Sequence, residues 1–373
     1  MRHFRNDFAI CLRTFAILGL QKNNELMMPP LPVKRILVQG GRAIGKLPGI
    51  ARICSPLRGN PVIVGYHRVL PEDLWRQYPC IHADLAVTPA RFAEHMAYWI
   101  SKAHVVSMDD VASRNIPQQS VAVGFDDFYA DVAYHALPIL EKYNIPAILY
   151  LCTNFVENSQ FLWWYGVDAA VNCGKPHLDI FFGGKRFTGP LRHPWQRLAM
   201  FRRLSTFCFQ LDAEQQRLFI ECLGTTPHCY QQDAMPTWEM VTKLAQHPLI
   251  SVGAHTLSHG ALGKLSAQES QRQIEQSRLL IEKKLGKAVR HLAYPFGGRD
   301  AASQREYDIA ANSGFITAVT TERGTNNRTT SPYALFRSIV LQEHGLSMLC
   351  SLNSGWDNAL RHARHCLRER VHA

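Results

Sequence analysis

The sequence lacks a long apolar segment and a regular cysteine pattern, and both absences narrow the protein class. Its first apolar stretch, 8–20, is too short to span a bilayer and is interrupted by Arg13. No small-residue cleavage site follows before Gln21, so we do not predict a secretory signal. The ten cysteines contain no Cys-x-x-Cys pair and no regular spacing, which argues against a disulfide framework and favours a reducing compartment.

Acidic residues are scarce relative to basic ones, with 30 Asp and Glu against 41 Lys and Arg. The resulting net charge of +11 could indicate nucleic acid or an anionic surface as a partner. However, no basic and aromatic motif of a nucleic-acid reader is visible, and much of the excess lies near the two ends. We therefore predict no nucleic-acid partner.

The basic segment 33–58 mixes Lys and Arg with aliphatic residues. It could lie on a membrane surface as an amphipathic helix, or pack as a helix on the outside of the domain. We expect a cytoplasmic location and leave open a peripheral contact with the inner membrane through this N-terminal segment. The oligomeric state cannot be predicted from the sequence.

Length and apolar content predict one large domain with extensions, since 46% of the 373 residues are apolar. We predict a basic extension over 1–59, a main domain over 60–345, and a basic C-terminal helix over 346–373. Strand and helix patterns alternate through the main domain, which predicts a parallel sheet. About eight candidate strands are present, enough for a distorted (β/α) barrel of seven or eight strands.

The alternation breaks at about 156–236, which we predict to be a mainly helical insertion. It contains a hairpin signal at Gly183-Gly184 and a long helical stretch from about 194 to 223. Its aromatic side chains Phe161, Trp163 and Trp164 could stack on a sugar ring or could fill the core beneath the insertion.

Two adjacent carboxylates, Asp126 and Asp127, end a predicted buried strand in the stretch VAVGFDDFYAD at 121–131. The C-terminal ends of strands are where α/β folds carry chemistry. Because successive residues there point in different directions, one aspartate can bind a ligand while the other faces a substrate. Alternatively, the pair caps the helix predicted over 129–143.

A second motif, GAHTLSH, carries His255 and His259 at the end of another predicted strand. This spacing can turn two imidazoles towards one ion, although among 17 histidines it is expected about once by chance. Parallel strands would bring the pair to the same edge as Asp127. One carboxylate and two histidines form a ligand set for a catalytic divalent metal with open positions.

A third motif, HLAYPFGGRD, ends a predicted strand at Tyr294. The proline and glycines predict an irregular loop suited to a pocket wall, or an ordinary turn between strand and helix. In this order, GFDDFYAD, AHTLSH and AYPFG resemble the polysaccharide deacetylases of the NodB-homology type, carbohydrate esterase family 4. The resemblance covers roughly residues 60–341.

The resemblance implies a distorted barrel and metal-dependent hydrolysis of N-acetyl groups on GlcNAc-type sugars. It implies that Asp126 is the general base, and that the metal, commonly zinc, is held by Asp127, His255 and His259. The side chains of Tyr294, Pro295 and Phe296 would bind substrate, with Tyr294 and its loop lining the acetyl pocket and supplying an oxyanion contact. The substrate would be an N-acetylated glycan, such as an exopolysaccharide or its lipid-linked precursor, a chitooligosaccharide, peptidoglycan or a formylated amino sugar.

Three departures from the family pattern concern activity. Phe128 replaces the glycine that usually follows the aspartate pair, and we expect it to narrow the cleft. Ala293 replaces an arginine that usually orients the base, so we predict that Arg337 on the last strand takes this role. The alternative to an enzyme is a catalytically impaired carbohydrate-binding or scaffold protein that keeps the barrel.

The third departure is that no Leu-His-Asp motif follows the YPFG loop, where the family carries its catalytic acid. The strand PVIVGYHRV resembles the family's apolar strand with a terminal histidine, although it precedes the aspartate pair here. Since a closed barrel has no first strand in space, a circularly permuted order could fill the same position. We therefore predict that His67 is the catalytic acid, with His344 as a less favoured candidate.

Overall fold

The computed structural model describes residue 54 and residues 58–157, 162–225 and 234–361. The predicted N-terminal extension therefore lies outside the described residues except for Cys54, Arg58 and Gly59, and the predicted C-terminal helix is described only as far as 361. None of the helices in these ranges is long and apolar enough to cross a membrane.

The strands of the described ranges are, in chain order, β1 (Val62–Tyr66), β2 (Arg68–Val69), β3 (Ala86–Val87), β4 (His104–Val105), β5 (Ser120–Phe125), β6 (Ala147–Leu151), β7 (His177–Phe182), β8 (Lys185–Pro190), β9 (Ile250–Ala254), β10 (His291–Ala293), β11 (Thr317–Val319) and β12 (Ser338–Ile339). The α-helices are α1 (Pro79–Leu85), α2 (Pro89–Lys102), α3 (Met108–Ser113), α4 (Leu137–Tyr143), α5 (Thr153–Val156), α6 (Trp163–Asn172), α7 (Pro194–Cys208), α8 (Ala213–Cys222), α9 (Trp238–Ala245), α10 (Ala267–Leu285), α11 (Gln304–Asn312) and α12 (Leu346–Ser354).

Parallel strands form one curled sheet in the order β11-β10-β9-β6-β5-β1-β12, and the short strand β4 pairs with the start of β5. Every residue of β1, β5 and β6 is buried, as expected for parallel strands whose two faces are both covered. An isolated parallel bridge pairs Val319 at the end of β11 with Leu335, which precedes β12, so the barrel closes without a regular ladder between its edge strands. The predicted barrel of seven or eight strands is confirmed.

The register of the strands brings their C-terminal ends to one edge. Tyr66 at the end of β1 pairs with Phe125 at the end of β5, and Leu151 at the end of β6 pairs with Ala254 at the end of β9. Consequently, the residues that follow β1, β5 and β9 leave the sheet close together. This edge carries the candidate site.

Two predicted helices begin or end at other residues than the sequence suggested. The helix expected over 129–143 starts only at Leu137, after a π-helical turn over Val132–Ala136. Pro138 has no N–H to donate within the first turn, which favours this wider winding. The helical stretch expected over 194–223 is broken between α7 and α8, where Asp212 caps α8 by accepting a hydrogen bond from the Gln215 N–H.

The insertion contains the predicted hairpin, with β7 and β8 antiparallel and joined through Gly183 and Gly184. Both glycines have positive φ (55° and 74°), as a two-residue hairpin turn requires. Helices α6, α7 and α8 pack with this hairpin around a separate apolar cluster that includes Trp163 and Trp164. Phe161, the third aromatic of the sequence prediction, lies outside the described residues.

His95 on α2 is fully buried behind β1 and supplies a test of the fold. Its Nδ1 is 3.2 Å from the Tyr66 hydroxyl, and its Nε2 is 2.7 Å from the carbonyl oxygen of His344. Burial lowers the pKa of His95 to about 4, from an ordinary value of 6.5. The pKa of His95 is lower in the folded protein than in the unfolded chain. Its neutral form therefore contributes its full share of folding stability above pH 6.5, and this share is lost as the pH falls towards 4.

We expect His95 to contribute about 2 kcal/mol to the loss of stability between pH 7 and pH 5. Urea unfolding of His95→Gln should lack this part of the pH dependence, whatever its stability at pH 7. The exposed His104 offers a matched control, since His104→Gln should keep the wild-type slope. An unchanged slope in His95→Gln would contradict the buried neutral state.

Candidate active site

A cavity of about 330 Å³ opens at the edge where the strands end. Its size is in the range of small-molecule sites. The titratable groups of the predicted site line it together: His67, Asp126, Asp127, His255 and His259.

The loops around this cavity hold several non-glycine residues in left-handed backbone conformations. They follow β5, β9 and β10 and have φ between 52° and 67°: Asp127, Phe128, Thr256, His259 and Phe296. Such conformations cost about 1–3 kcal/mol each and cluster at functional sites. The surrounding fold therefore stabilises a loop geometry that the local sequence alone would not favour.

Asp126 is held by a buried arginine from the last strand segment. Arg337 donates two hydrogen bonds to the carboxylate, at 2.6 Å to Oδ1 and 2.7 Å to Oδ2. Burial alone would raise the pKa of Asp126, but the Arg337 guanidinium outweighs it and holds the pKa below its usual range. Asp126 is therefore ionised and fixed in orientation, as a proton acceptor requires.

Gly65 in β1 makes room for this arginine. A Cβ at position 65 would lie 3.2 Å from Cδ and 3.4 Å from Nε of Arg337, and 2.7 Å from Cδ1 of Ile339. The absence of a side chain lets the arginine pass β1 on its way to Asp126. The Arg337 Nε also donates to the carbonyl of Thr320 at 3.2 Å.

Asp127, His255 and His259 converge on one point, with one potential ligand atom from each within 4.8 Å of the others. Oδ1 of Asp127 lies 3.1 Å from Nε2 of His259 and 3.5 Å from Nε2 of His255. That oxygen is buried and has no hydrogen-bond partner among the described residues. Unpartnered acceptors facing one another fit a bound cation, and an oxygen with two imidazoles suits a divalent metal such as Zn²⁺.

His255 is prepared for such a role by its second nitrogen. Its Nδ1 is 2.7 Å from the carbonyl oxygen of Ala293, so Nδ1 carries the hydrogen and Nε2 presents its lone pair to Asp127. Burial lowers the pKa of His255 to about 4, which keeps the ring neutral, as metal binding requires. Ala293 therefore contributes to the site through its backbone carbonyl, which orients the His255 ring.

His67 lies directly after β1, the strand between β5, which ends before Asp126, and β12, which follows Arg337. Its Nε2 is 3.9 Å from Oδ2 of Asp126, and the side chain lines the cavity beside the three converging groups. Nδ1 of His67 is buried without a hydrogen-bond partner among the described residues. The ring is therefore within reach of a substrate bound at Asp126.

An aromatic wall surrounds His259. The ring centroid of Phe155 lies 5.6 Å away in a stacked arrangement, while Trp164 and Phe296 approach edge-on at 5.4 Å and 4.8 Å. Phe296 of the YPFG loop lines the cavity, and Trp163 and Trp164 of the insertion line it as well. The wall gives the converging groups an apolar surround on the side of His259.

Tyr294 and Pro295 of the YPFG loop, both predicted to bind substrate, do not line the cavity. Tyr294 is buried in the main core, its hydroxyl donates to the carbonyl of Tyr333, and its N–H donates to the carbonyl of Val319. Neither its ring nor its N–H is free for an acetyl group. Pro295 is also buried, and its carbonyl accepts from the Gly297 N–H at 2.7 Å, closing a tight turn.

Two further predictions about the cavity are corrected. Phe128 does not narrow the cleft, because its positive φ turns the side chain into the main apolar core, where it is fully buried. His344 lies in the core beside His95, accepts the Leu341 N–H at Nδ1, and is not among the residues that line the cavity.

A buried ionic network that joins β2 to the segment after β5 was not predicted from the sequence. Arg68 donates to Asp131 at 2.7 Å and to the Tyr165 hydroxyl at 2.8 Å, and Asp131 also accepts the Val69 N–H at 2.8 Å. Because Arg68 follows His67 and Asp131 closes the GFDDFYAD motif, the network ties the histidine to the aspartate loop. The sequence signal for this network was the position of Arg68 next to His67 and of Asp131 at the end of GFDDFYAD.

Comparison with protein families finds a match over the central part of the chain. The family model described as polysaccharide deacetylase matches residues 113–315, which is more than half of the chain. A curated relative, YxkH of Bacillus subtilis (strain 168), is named as a polysaccharide deacetylase and is 31% identical over 101 residues. That match covers 27% of this chain and 35% of the relative, so the chain matches about a third of the length of YxkH.

Solved structures agree in fold. The Streptococcus pyogenes deacetylase PplD, solved in complex with acetate, has a TM-score of 0.51 at 19% identity, covering 78% of this chain and 96% of its own. IcaB from Ammonifex degensii has a TM-score of 0.50 at 18% identity, covering 80% of this chain and 97% of its own. At this level of identity the likeness concerns the fold.

Proposed function

Because the chain belongs to the polysaccharide deacetylase family, whose members are hydrolases acting on amide bonds, we propose that it removes N-acetyl groups from a GlcNAc-type glycan with the help of a divalent metal. One observation carries this proposal. The arginine-held Asp126, the three converging groups and His67 line a single cavity.

The metal would be held by Asp127, His255 and His259, and Zn²⁺ is the ion that this donor set suits best. When bound, it supplies a Lewis acid that polarises the amide carbonyl and lowers the pKa of water. The neutral His255 and the buried oxygen of Asp127 support this assignment.

Asp126 would take the proton from the attacking water. Its two hydrogen bonds to Arg337 fix the carboxylate plane, and its lowered pKa keeps it ionised at neutral pH. A general base contributes about 10²–10⁴-fold when it lies within hydrogen-bond reach of the proton it accepts. Arg337 acts here as a positioning residue.

His67 would donate a proton to the leaving nitrogen, since an amine leaves only when protonated. The proposal is supported by its position 3.9 Å from Asp126, in the same cavity. The Arg68–Asp131 network holds the adjacent backbone, which fixes the reach of the ring.

His67→Ala should lower kcat on an N-acetylated sugar by about 10²–10⁴-fold while the metal content stays at the wild-type level. The loss should be much smaller on 4-nitrophenyl acetate, because its leaving group needs no protonation. Parallel kinetics on the two substrates check this, with His104→Ala as a control at an exposed histidine. Equal losses on both substrates would exclude the acid role.

The proposed function is tested by acetate release from purified protein. A panel of N-acetylated glycans, assayed with and without added Zn²⁺, should yield acetate and a free amine in equal amounts from at least one glycan. A protein that binds glycans but releases no acetate from any of them would instead be a binding or scaffold protein. Two departures from the family pattern, Phe128 and Ala293, favoured this alternative. They no longer argue for it, since Phe128 lies in the core and Arg337 orients the base in place of the usual arginine.

A further inference from the structure

A second cavity, of about 420 Å³, adjoins the catalytic cavity. Four side chains line both cavities and form a shared wall: Trp163, Trp164, His259 and Phe296. A ligand bound in the catalytic cavity therefore has the second cavity as its immediate neighbour on the aromatic side. No role in the proposed hydrolysis has been assigned to this space.

The far side of the second cavity is built where the insertion meets the barrel. The segment that separates α7 from α8 contributes Phe209 and Gln210, and the loop after β9 contributes Lys264. The Phe209 ring lies 4.7 Å from the Phe296 ring, and Nζ of Lys264 lies 3.7 Å above Phe209. Lys264 also donates to the Phe209 carbonyl and to Oε1 of Gln210, both at 2.8 Å.

These contacts fix the wall before a ligand arrives. The break in the helical stretch is what allows Phe209 to turn towards the barrel, and the Asp212 cap stabilises the start of α8 directly after it. A preformed site binds without the cost of ordering its side chains.

The lining combines aromatic rings with neutral polar groups. The lining includes the neutral polar side chains Gln210, Gln215, Gln216, Gln273 and Ser258. Gln216, Gln273 and Ser258 already donate hydrogen bonds within the protein, which orients them, whereas the amide nitrogens of Gln210 and Gln215 donate to no other group of the described residues. Aromatic rings offer apolar surface with a defined geometry, and amides both donate and accept hydrogen bonds, as sugar hydroxyls require. The combination suits a sugar ring.

The charges of the cavity argue against an anionic ligand. Lys264 is the basic residue of its lining, whereas Asp212 and Glu269 are both acidic. Two of the ammonium's three donors are already used within the protein. A phosphate or carboxylate would therefore meet more repulsion than attraction here.

We propose that the second cavity binds the neutral sugar residue adjacent to the one that is deacetylated. This inference rests on the proposed function and selects among its substrates: a neutral oligomeric glycan is favoured over a single sugar and over a sugar linked to a diphosphate. The insertion is thus a specificity element, and Phe209 and Gln210 are its contact residues.

The test compares N-acetylglucosamine, tetra-N-acetylchitotetraose and UDP-N-acetylglucosamine as substrates. We expect kcat/KM to be at least about tenfold higher for the tetrasaccharide than for either of the others. Phe209→Ala should reduce the ratio of tetrasaccharide to monosaccharide kcat/KM by about three- to tenfold, the range expected for losing one aromatic contact. Gln210→Ala, at an exposed position where folding is not at risk, should reduce it in the same direction.

Phe181→Ala is the matched control, because this exposed phenylalanine of β7 belongs to the same insertion and lines neither cavity. It should leave the ratio unchanged. Equal kcat/KM for the monosaccharide and the tetrasaccharide in the wild type, or an unchanged ratio in both Phe209→Ala and Gln210→Ala, would overturn the inference. So would a preference for the UDP-linked sugar.

A failure of the proposed deacetylase function can be distinguished from a failure of this inference. If the wild type released no acetate from any of the three compounds, the same variants would be compared by calorimetric titration with tetra-N-acetylchitotetraose. Weaker binding in Phe209→Ala than in Phe181→Ala would support the second cavity as a sugar site without catalysis. Equal affinities, or no binding by the wild type, would reject it.

Discussion

Replacing His255 with alanine should remove the metal and with it nearly all activity. His255 is fully buried, its Nδ1 is held by the Ala293 carbonyl, and its Nε2 faces Oδ1 of Asp127 at 3.5 Å. No other described side chain is grouped with Asp127 and His259 as a potential ligand, so the loss cannot be compensated locally. We expect metal content to fall below about a tenth of wild type and kcat to fall by about 10³-fold or more.

Elemental analysis of the purified variants, together with acetate release, checks this expectation. His259→Ala should behave in the same way, and Asp127→Asn should lower metal affinity. His291 is a suitable control, because it is a buried histidine at the start of β10, bonded to Thr317 and Asp109 and away from the cavity. Wild-type metal occupancy in both His255→Ala and His259→Ala would show that these residues do not hold the ion.

Replacing Asp126 with asparagine should remove nearly all turnover and leave the metal bound. Asparagine keeps the size of the side chain but cannot take a proton from water, so kcat should fall by about 10²–10⁴-fold. Asp126 does not belong to the converging metal group, and its carboxylate is occupied by Arg337. Metal content and kcat measured on the same preparation separate the roles of the two aspartates.

Replacing Arg337 also tests the role of Asp126 as the general base. Without the guanidinium, burial would raise the pKa of Asp126, so the acidic limb of the pH profile of kcat/KM should move to higher pH in Arg337→Gln. Asp179→Asn, at an exposed position on β7, should change neither turnover nor metal content. If Asp126→Asn and Asp127→Asn lost metal equally, the proposed division of labour would be wrong.

The sequence predicted which side chains come together where a strand end determines the position of a side chain. Asp126 and Asp127 follow β5, and His255 follows β9, and parallel register brings the ends of these strands to one edge whatever the conformation of the loops. Arg337 could be named because the base needed a cation and the last strand segment carried one. The strand pattern and the three motifs therefore sufficed for the barrel and for the titratable lining of its cavity.

Predictions from the sequence were wrong or absent where a backbone conformation or a partner distant in the chain determines the position of a side chain. No feature of the sequence indicates that Tyr294 points into the core, or that a positive φ turns Phe128 away from the cleft. The Arg68–Asp131 pair joins residues 63 positions apart, which no local periodicity reveals. The break after α7 was also missed, although Asp212 and Gln215 form a recognisable capping box.

The central claim is that one metal ion, held by Asp127, His255 and His259, is required for deacetylation. The most direct measurement is a titration of chelator-treated protein with Zn²⁺, with acetate release from an N-acetylated glycan recorded at each addition. The claim predicts that the rate rises from near zero and reaches its plateau at one equivalent of Zn²⁺ per chain. An equal rate before any Zn²⁺ is added, in protein shown by elemental analysis to be free of metal, would contradict it.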